Sequence, residues 1–143
     1  MPQEEIKIKI EKPPIYEAVC NAFKLNLSDK IFTYGDTIYN PSGQELPDHI
    51  IEHEKVHMKQ QNYNDKDAAL WWGRFLRELA FRIDQEARAY AKQYLFICKS
   101  VKDRNQRAKI IVDLASVLSG PLYQNSIGQF EAVKEIKKYT NNL

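Results

Sequence analysis

The sequence has little cysteine, and its cysteines form no motif. The two cysteines, Cys20 and Cys98, lie far apart and make no Cys-x-x-Cys pair. Isolated cysteines of this kind are typical of reduced, partly buried side chains, not of a disulfide framework or a cysteine-ligated metal. A chain of 143 residues is long enough to bury a core without disulfides, so we expect residues 1–143 to form a single domain.

Long apolar runs and blocks of like charge are also absent. The N-terminal stretch MPQEEIKIKIEK alternates charged residues with isoleucine, where a signal peptide would need an unbroken apolar run. No segment reaches the length of a membrane span, and 21 lysine and arginine residues are nearly balanced by 19 aspartate and glutamate residues. We therefore expect a cytoplasmic protein with no nucleic acid and no membrane as partner, while the oligomeric state stays open.

Histidine is rare too, but its placement is informative. All three histidines lie in HIIEHEKVH, and each follows the previous one by four residues. In a helix this spacing aligns them in one stripe, and neutral imidazole is a common ligand of transition metals. The segment from His53 to His57 reads HExxH. In that motif the two histidines bind zinc and the intervening glutamate, here Glu54, acts as the general base.

The same stretch can be interpreted in a second register. HIIEH matches the reversed motif HxxEH, in which His49 and His53 would be the ligands and Glu52 the base. We favour HExxH because His49 falls in the first turn of the predicted helix, where helices fray. A site closed by His49 as an additional ligand is also disfavoured, because His49 lies two turns from His57 on the same helix.

A catalytic zinc site needs three protein ligands, and the chain has no fourth histidine to offer. A carboxylate must therefore complete the site. The segment FRIDQEARAYAKQY offers Asp84 and Glu86, which lie about 200° apart around a helix, so only one can face the histidines. Glutamate has the longer reach, which suits a ligand that comes from a separate helix.

Hydrophobic periodicity predicts an α+β fold with a small N-terminal β-sheet and a mostly helical body. EIKIKIEK alternates as a half-buried strand does, and IFTYGDTIYN is rich in β-branched and aromatic residues. The predicted elements are a strand at residues 5–12, a helix from Pro14, a strand at residues 31–40 with a bulge at Gly35, a helix from Pro47 and Asp48 to Gln61, two helices within residues 67–98 that meet near residues 79–81, and helices at residues 102–118 and 127–139.

Five segments together resemble small phage- and prophage-encoded metallopeptidases of the gluzincin type. They are FTYGDTIYNP, HEKVHMKQQ, LWWGRFL, FRIDQEARAYAKQY and SGPLY, and the resemblance runs roughly from residue 13 to residue 136. It implies a compact zincin domain with one Zn2+ per chain and a peptide or protein substrate. His53, His57 and Glu86 would be the ligands and Glu54 the base. Tyr90 stands where larger gluzincins have an aspartate that supports a ligand, so the support of the imidazoles is unassigned.

Further roles are expected around this centre. The tyrosine of SGPLY, Tyr123, is our choice for stabilising the developing oxyanion, with Tyr90 and Tyr39 as alternatives. Peptidases of this type commonly hold substrate as an added β-strand, so Ile38, Tyr39 and Asn40 are expected to line the cleft. An ordinary structural strand is the competing interpretation.

Flanking residues complete the expectations. Gln60 shares the face of His57 and is expected to hydrogen-bond the outer side of a ligand or to line the cleft, whereas Gln61 is expected to face solvent. Trp71 and Trp72 should pack in the core. Residues Arg82 and Arg88 should form solvated salt bridges.

A different class of function is open at this stage. The chain could bind zinc for structure alone, or act as a catalytically inactive interaction or assembly protein of a phage. A structural zinc site is normally closed by a fourth protein ligand and has no use for Glu54. The sequence therefore favours catalysis.

Overall fold

Six α-helices and three short strands are present in the computed structural model, which describes residues 6–141. In chain order they are β1 (Lys7–Lys9), α1 (Tyr16–Phe23), β2 (Phe32–Tyr34), β3 (Thr37–Tyr39), α2 (Asp48–Gln60), α3 (Asp65–Arg77), α4 (Leu79–Cys98), α5 (Arg104–Leu118) and α6 (Gln129–Lys138), with a 3-10 turn at Pro121–Tyr123. This arrangement confirms the α+β class, with a small N-terminal sheet before a helical body. No described helix is long and apolar enough to cross a membrane.

The predicted single strand at residues 31–40 is wrong, because it is a β-hairpin. Strands β2 and β3 pair antiparallel, with Tyr34 opposite Thr37. Gly35 is therefore a turn residue and not a bulge, and its φ of +65° suits the first position of a two-residue hairpin turn. Strand β3 is the centre of the sheet, because β1 pairs with its other edge in parallel.

Strand β1 forms where it was predicted, but its burial was predicted wrongly. The predicted strand starts at Glu5, which lies outside the described residues, and residues 7–9 are all exposed. Ile8 is 45% exposed and Ile10 is 72% exposed. The physical reason is that β1 is an edge strand that pairs with β3 and makes no extensive contact with any described helix.

The helices agree with prediction to within a few residues at their ends. Helix α2 begins at Asp48 directly after Pro47. The Asn64 side chain caps α3 by accepting a hydrogen bond of 2.8 Å from the backbone N–H of Asp67. Helices α3 and α4 are separated at Glu78, whose extended backbone ends one helix and starts the next.

Among the described residues, two clusters of buried side chains form much of the core, and α4 borders both. The aliphatic cluster lies among α4, α5 and α6, whereas the aromatic cluster joins α1, the sheet and α3. The aliphatic cluster consists of Ala87, Ala91, Ile111, Ala115, Leu118, Tyr123, Ala132 and Ile136. The aromatic cluster consists of Val19, Leu27, Phe32, Tyr39, Trp71, Trp72 and Phe75. The predicted packing of both tryptophans is thus confirmed, and the two cysteines are free, one buried and one half-buried.

Candidate metal centre

The histidine stripe of α2 faces α4. Gln93 of α4 contacts His49 near the start of α2, and Glu86 contacts His57 near its end. The two helices are therefore antiparallel, and no other pair of elements in the described chain is in more extensive contact. Because one helix provides the stripe and the other provides a carboxylate, the interface between α2 and α4 brings together side chains that could hold a metal ion.

His53, His57 and Glu86 form the one group of three potential metal ligands found among residues 6–141. Their ligand atoms lie within 4.8 Å of one another. The Oε1 atom of Glu86 is 2.5 Å from His57 Nε2 and 3.3 Å from His53 Nε2. Below we call these three residues the triad.

The triad fits a zinc ion in donor chemistry, and one of its separations fits as well. Two imidazoles and one carboxylate are a donor set of catalytic zinc sites. Ligand atoms about 2.0–2.2 Å from one tetrahedral ion are roughly 3.3–3.6 Å apart, which matches the His53–Glu86 separation of 3.3 Å. The shorter His57–Glu86 distance is that of a direct hydrogen bond between the two side chains.

The outer nitrogen of each triad imidazole is hydrogen-bonded to a glutamine. His57 Nδ1 is 2.8 Å from Gln60 Oε1, and His53 Nδ1 is 3.0 Å from Gln93 Oε1. An amide oxygen can only accept, so both Nδ1 atoms carry the proton and both Nε2 atoms are directed to the triad. The Gln60 contact is the one predicted, whereas Gln93 was missed.

His49 does not belong to the triad. Its Nδ1 atom accepts a hydrogen bond of 2.8 Å from Gln93 Nε2. Glu52, the base of the reversed motif, instead pairs with Lys55 on the surface at 3.2 Å. The geometry therefore favours the forward register, in which His53 and His57 are the paired histidines.

Asp84 and Glu86 face opposite ways, as their spacing predicts. Asp84 forms an ion pair of 3.0 Å with Arg88 and accepts a hydrogen bond from the Tyr139 hydroxyl. Glu86 points to the histidines, and its second oxygen accepts a 2.8 Å hydrogen bond from the Tyr123 hydroxyl. Of the two carboxylates, only Glu86 can take part in the triad.

Glu54 is buried beside the triad and held by a threonine. The hydroxyl of Thr33 donates to Glu54 Oε1 at 3.1 Å, and the other carboxylate oxygen lies 3.6 Å from His53 Nε2. Burial raises the pKa of Glu54, and this effect outweighs the opposing influence of His53 and His57. One oxygen is thus fixed, while the other faces the triad.

His57 and Glu86 form a charged pair when no metal separates them. Burial by itself would lower the pKa of His57, but the charge and the hydrogen bond of Glu86 raise it to about 9. Burial by itself would raise the pKa of Glu86, but His57 and His53 hold this pKa well below its usual range. Without a metal, His57 and Glu86 therefore share a proton at the place that a metal ion could occupy.

The two tyrosines nearest the triad have different surroundings. Tyr123 is 1% exposed and its hydroxyl is engaged with Glu86. The ring of Tyr90 packs edge-on against His53, with ring centres 4.5 Å apart. Its hydroxyl forms no hydrogen bond with any residue in the described part of the chain. The predicted oxyanion role of Tyr123 stays a prediction, and what the structure shows is a hydrogen bond to Glu86 of the triad.

The prediction that residues Ile38, Tyr39 and Asn40 bind a substrate strand is wrong. Ile38 is fully buried, and β1 and β2 occupy both edges of β3. The backbone N–H of Asn40 also bonds the carbonyl of Lys9 at 2.8 Å. The sequence could not reveal this, because the parallel pairing of β1 depends on residues far away in the chain.

Two predictions of solvent exposure are also wrong. Gln61 is fully buried and ties the end of α2 to the hairpin, accepting from Gly35 N at 2.7 Å and donating to Thr33 O at 3.1 Å. Arg82 is 3% exposed and makes no salt bridge with any residue between 6 and 141. It instead donates to three carbonyls, those of Phe75, Leu76 and Leu122. Arg88 does form the predicted salt bridge.

A cavity of about 330 Å³ adjoins the triad. It is lined by the triad, Glu54 and Tyr90, and by most of the aromatic cluster, including Phe32, Trp72 and Phe75. A concave site with a few converging polar groups and mainly apolar walls is typical of a ligand-binding site.

Thr33 and Gln93 were missed by sequence reasoning. Gln93 had a signal, because it follows Glu86 by seven residues and thus lies on the same face of α4 two turns later. Thr33 had none, because nothing local indicates which strand residue will meet Glu54. Comparison of the chain with protein-family models, with curated proteins and with solved structures gives no match.

Proposed function

We propose that this protein is a zinc-dependent peptidase that binds one zinc ion per chain. The triad would hold the ion, and Glu54 would be the general base for hydrolysis of a peptide bond. The observation that carries the proposal is the convergence of both Nε2 atoms and Glu86 Oε1, with the unbonded Glu54 oxygen 3.6 Å from His53 Nε2.

The number of ligands favours a catalytic site over a structural one. Structural zinc sites are normally closed by four protein ligands, whereas catalytic sites keep one position open. The ligand group found in the described chain has three members. The sequence resemblance to small phage-encoded metallopeptidases points in the same direction.

Glu54 has the properties of a proton carrier. Bound zinc would supply a Lewis acid that acidifies a water molecule and polarises a carbonyl group. The raised pKa of Glu54 suits a carboxylate that accepts a proton from water and returns it to the leaving amine. Thr33 keeps the carboxylate from rotating away, since it fixes Oε1 at 3.1 Å.

The two tyrosines nearest the triad can have separate roles in the reaction. Tyr123 donates its hydroxyl to Glu86 Oε2 and so orients a ligand. Tyr90 lines the cavity beside His53 and Glu54, and its hydroxyl is not hydrogen-bonded to any other described residue. We assign to Tyr90 the donor role toward the carbonyl oxygen as negative charge develops there.

The cavity suggests the kind of peptide bond that is cut. Its apolar part is formed by aromatic and aliphatic side chains next to Glu54 and the triad. A substrate with a large apolar side chain beside the scissile bond would bury that side chain there. Cytoplasmic peptides or proteins with such residues are the proposed substrates.

Zinc content and hydrolysis by matched glutamate variants test this function. Purified chain should contain about one zinc per molecule and should cleave peptides with large apolar residues. Glu54→Gln should retain zinc while hydrolysis falls by at least about a thousandfold, because a base is removed and no ligand is touched. Glu52→Gln, a surface change two residues away, should leave both properties unchanged.

Other results for zinc content or hydrolysis would contradict the proposal or part of it. A wild-type chain without zinc would refute the proposal. Zinc loss in Glu54→Gln would place Glu54 among the ligands. Full zinc content without hydrolysis of any peptide in a broad library would instead favour the inactive interaction protein.

A further inference from the structure

Gln93 connects two histidines that are one helical turn apart on α2. Its Oε1 atom lies 3.0 Å from Nδ1 of His53, and its Nε2 atom lies 2.8 Å from Nδ1 of His49. Gln93 is 6% exposed, so its amide is largely shielded from water. The three side chains form a continuous row of hydrogen bonds that ends at a ligand of the triad.

The orientation of the Gln93 amide determines which nitrogen of His53 is free. An amide oxygen facing Nδ1 requires a proton there, which leaves Nε2 of the neutral ring bare. If the amide were turned over, its NH2 group would need a bare Nδ1. The ring proton would then lie on Nε2, which faces Glu86 and would have to bind the metal.

His49 favours the first of these orientations. Its Nδ1 atom accepts from the NH2 group of Gln93, so the amide oxygen is left to face His53. With the amide turned over, its oxygen would face His49 Nδ1, and His49 would have to move its ring proton from Nε2 to Nδ1 to keep the hydrogen bond. Without His49 the buried NH2 group would lose its partner, and turning the amide over would no longer require this proton shift. This explains why a histidine that is not a ligand lies on the same stripe.

We propose that Gln93 and His49 are positioning residues for the ligand His53. Gln93 holds His53 as the tautomer with its proton on Nδ1, and His49 holds the Gln93 amide in the orientation that this tautomer requires. This inference deepens the proposed function, because it concerns the same site. The tautomer itself is a property of the metal-free chain and can be measured without zinc.

Nitrogen-15 NMR of histidine in the full-length, metal-free protein tests the tautomer directly. At pH 8 the wild type should show His53 with the proton on Nδ1. Gln93→Leu should move much of that proton to Nε2, whereas Gln93→Glu should keep it on Nδ1, because a carboxylate can only accept. A wild-type proton on Nε2, or an unchanged tautomer in Gln93→Leu, would overturn the proposal.

Zinc affinity, measured by competition with a chromophoric chelator, separates positioning from packing. Gln93→Leu should weaken zinc binding by about tenfold to a hundredfold, which is typical for loss of a partner behind a ligand. Gln93→Glu should bind zinc about as well as the wild type. His49→Ala should weaken binding about three- to tenfold, a smaller effect than loss of Gln93 itself.

The decisive variant combines the two changes. In a Gln93→Glu background, His49→Ala should cause no further loss of zinc affinity. Both oxygens of a carboxylate accept hydrogen bonds, so His49 is no longer needed to fix the orientation of the group at position 93. An equal loss in both backgrounds would mean that His49 serves only packing, and the proposal would be wrong. Thermal melting of each variant verifies folding. If the wild type bound no zinc, the proposed function alone would fail, and the NMR experiment would still decide the tautomer.

Discussion

Helix α4 presents two buried faces of opposite character. The face toward α2 carries Glu86 and Gln93, and both are hydrogen-bonded to histidines. The face toward α5 and α6 carries Ala87 and Ala91, which are fully buried in the aliphatic cluster. On the first face the choice of residue depends on which groups must donate or accept hydrogen bonds. On the second face it depends on the size of the side chain that fits the cluster. A change on the first should therefore alter chemistry, and a change on the second should alter stability.

The largest expected effect is on the polar face. Glu86→Ala should lower zinc affinity by more than about a hundredfold, since even residues behind a ligand cost tenfold to a hundredfold. Asp84→Ala, which removes a carboxylate two residues away that pairs with Arg88, should keep normal zinc content. Dialysis against a mild chelator followed by metal analysis measures both. Zinc loss in Asp84→Ala but not in Glu86→Ala would show that the two faces were assigned the wrong way round.

The next effect is a pH dependence that only the polar face can produce. Because the His57 pKa is about 9 in the metal-free fold, zinc must displace a proton below that pH. Zinc affinity should rise about tenfold per pH unit from pH 7 to pH 9 and then level off. The raised pKa also stabilises the metal-free fold fully below about pH 6.5, and this contribution is lost as the pH rises through about 9.

Two measurements check this dependence. Chelator competition at several pH values gives the affinity, and thermal melting of the metal-free protein gives its stability, which should fall between pH 7 and pH 9. A flat affinity across that range would contradict the charged pair between His57 and Glu86.

The smallest effect on the site is expected from the apolar face. Ala91→Leu should destabilise the fold by about 1–3 kcal/mol, because a larger side chain must enter a packed cluster. Its zinc affinity should stay close to that of the wild type. Ala108→Leu, at an exposed position of α5, should change stability by less than about 0.5 kcal/mol. Urea unfolding measures both, and weakened zinc binding in Ala91→Leu would show that the two faces are coupled.

Helical periodicity made half of this centre predictable. The i, i+4 spacing fixes His53 and His57 on one side of α2, and the same geometry places Gln60 beside His57 and turns Asp84 away from Glu86. These relations depend only on residues within two turns of a helix. These relations do not depend on which other elements pack against the helix.

The unpredicted half depends on contacts between distant segments. Thr33 reaches Glu54 across twenty-one positions of the sequence, and Arg82 is buried because carbonyls of α3 and of the 3-10 turn surround it. The central position of β3 likewise follows from its pairing with β1. Local pattern carries no information about such contacts, so the burial of Asn40 and Gln61 could not be predicted.

The parallel pairing of β1 with β3 has a consequence for the order of folding. The hairpin of β2 and β3 needs only a two-residue turn, whereas pairing Lys7 with Thr37 closes a loop of about thirty residues. Hairpins form within about 1–10 μs, and the hairpin already carries Thr33, the partner of Glu54. The hairpin can therefore form first, and β1 is added afterwards as a late, exposed strand. Its amide protons should exchange with solvent sooner than those of the hairpin.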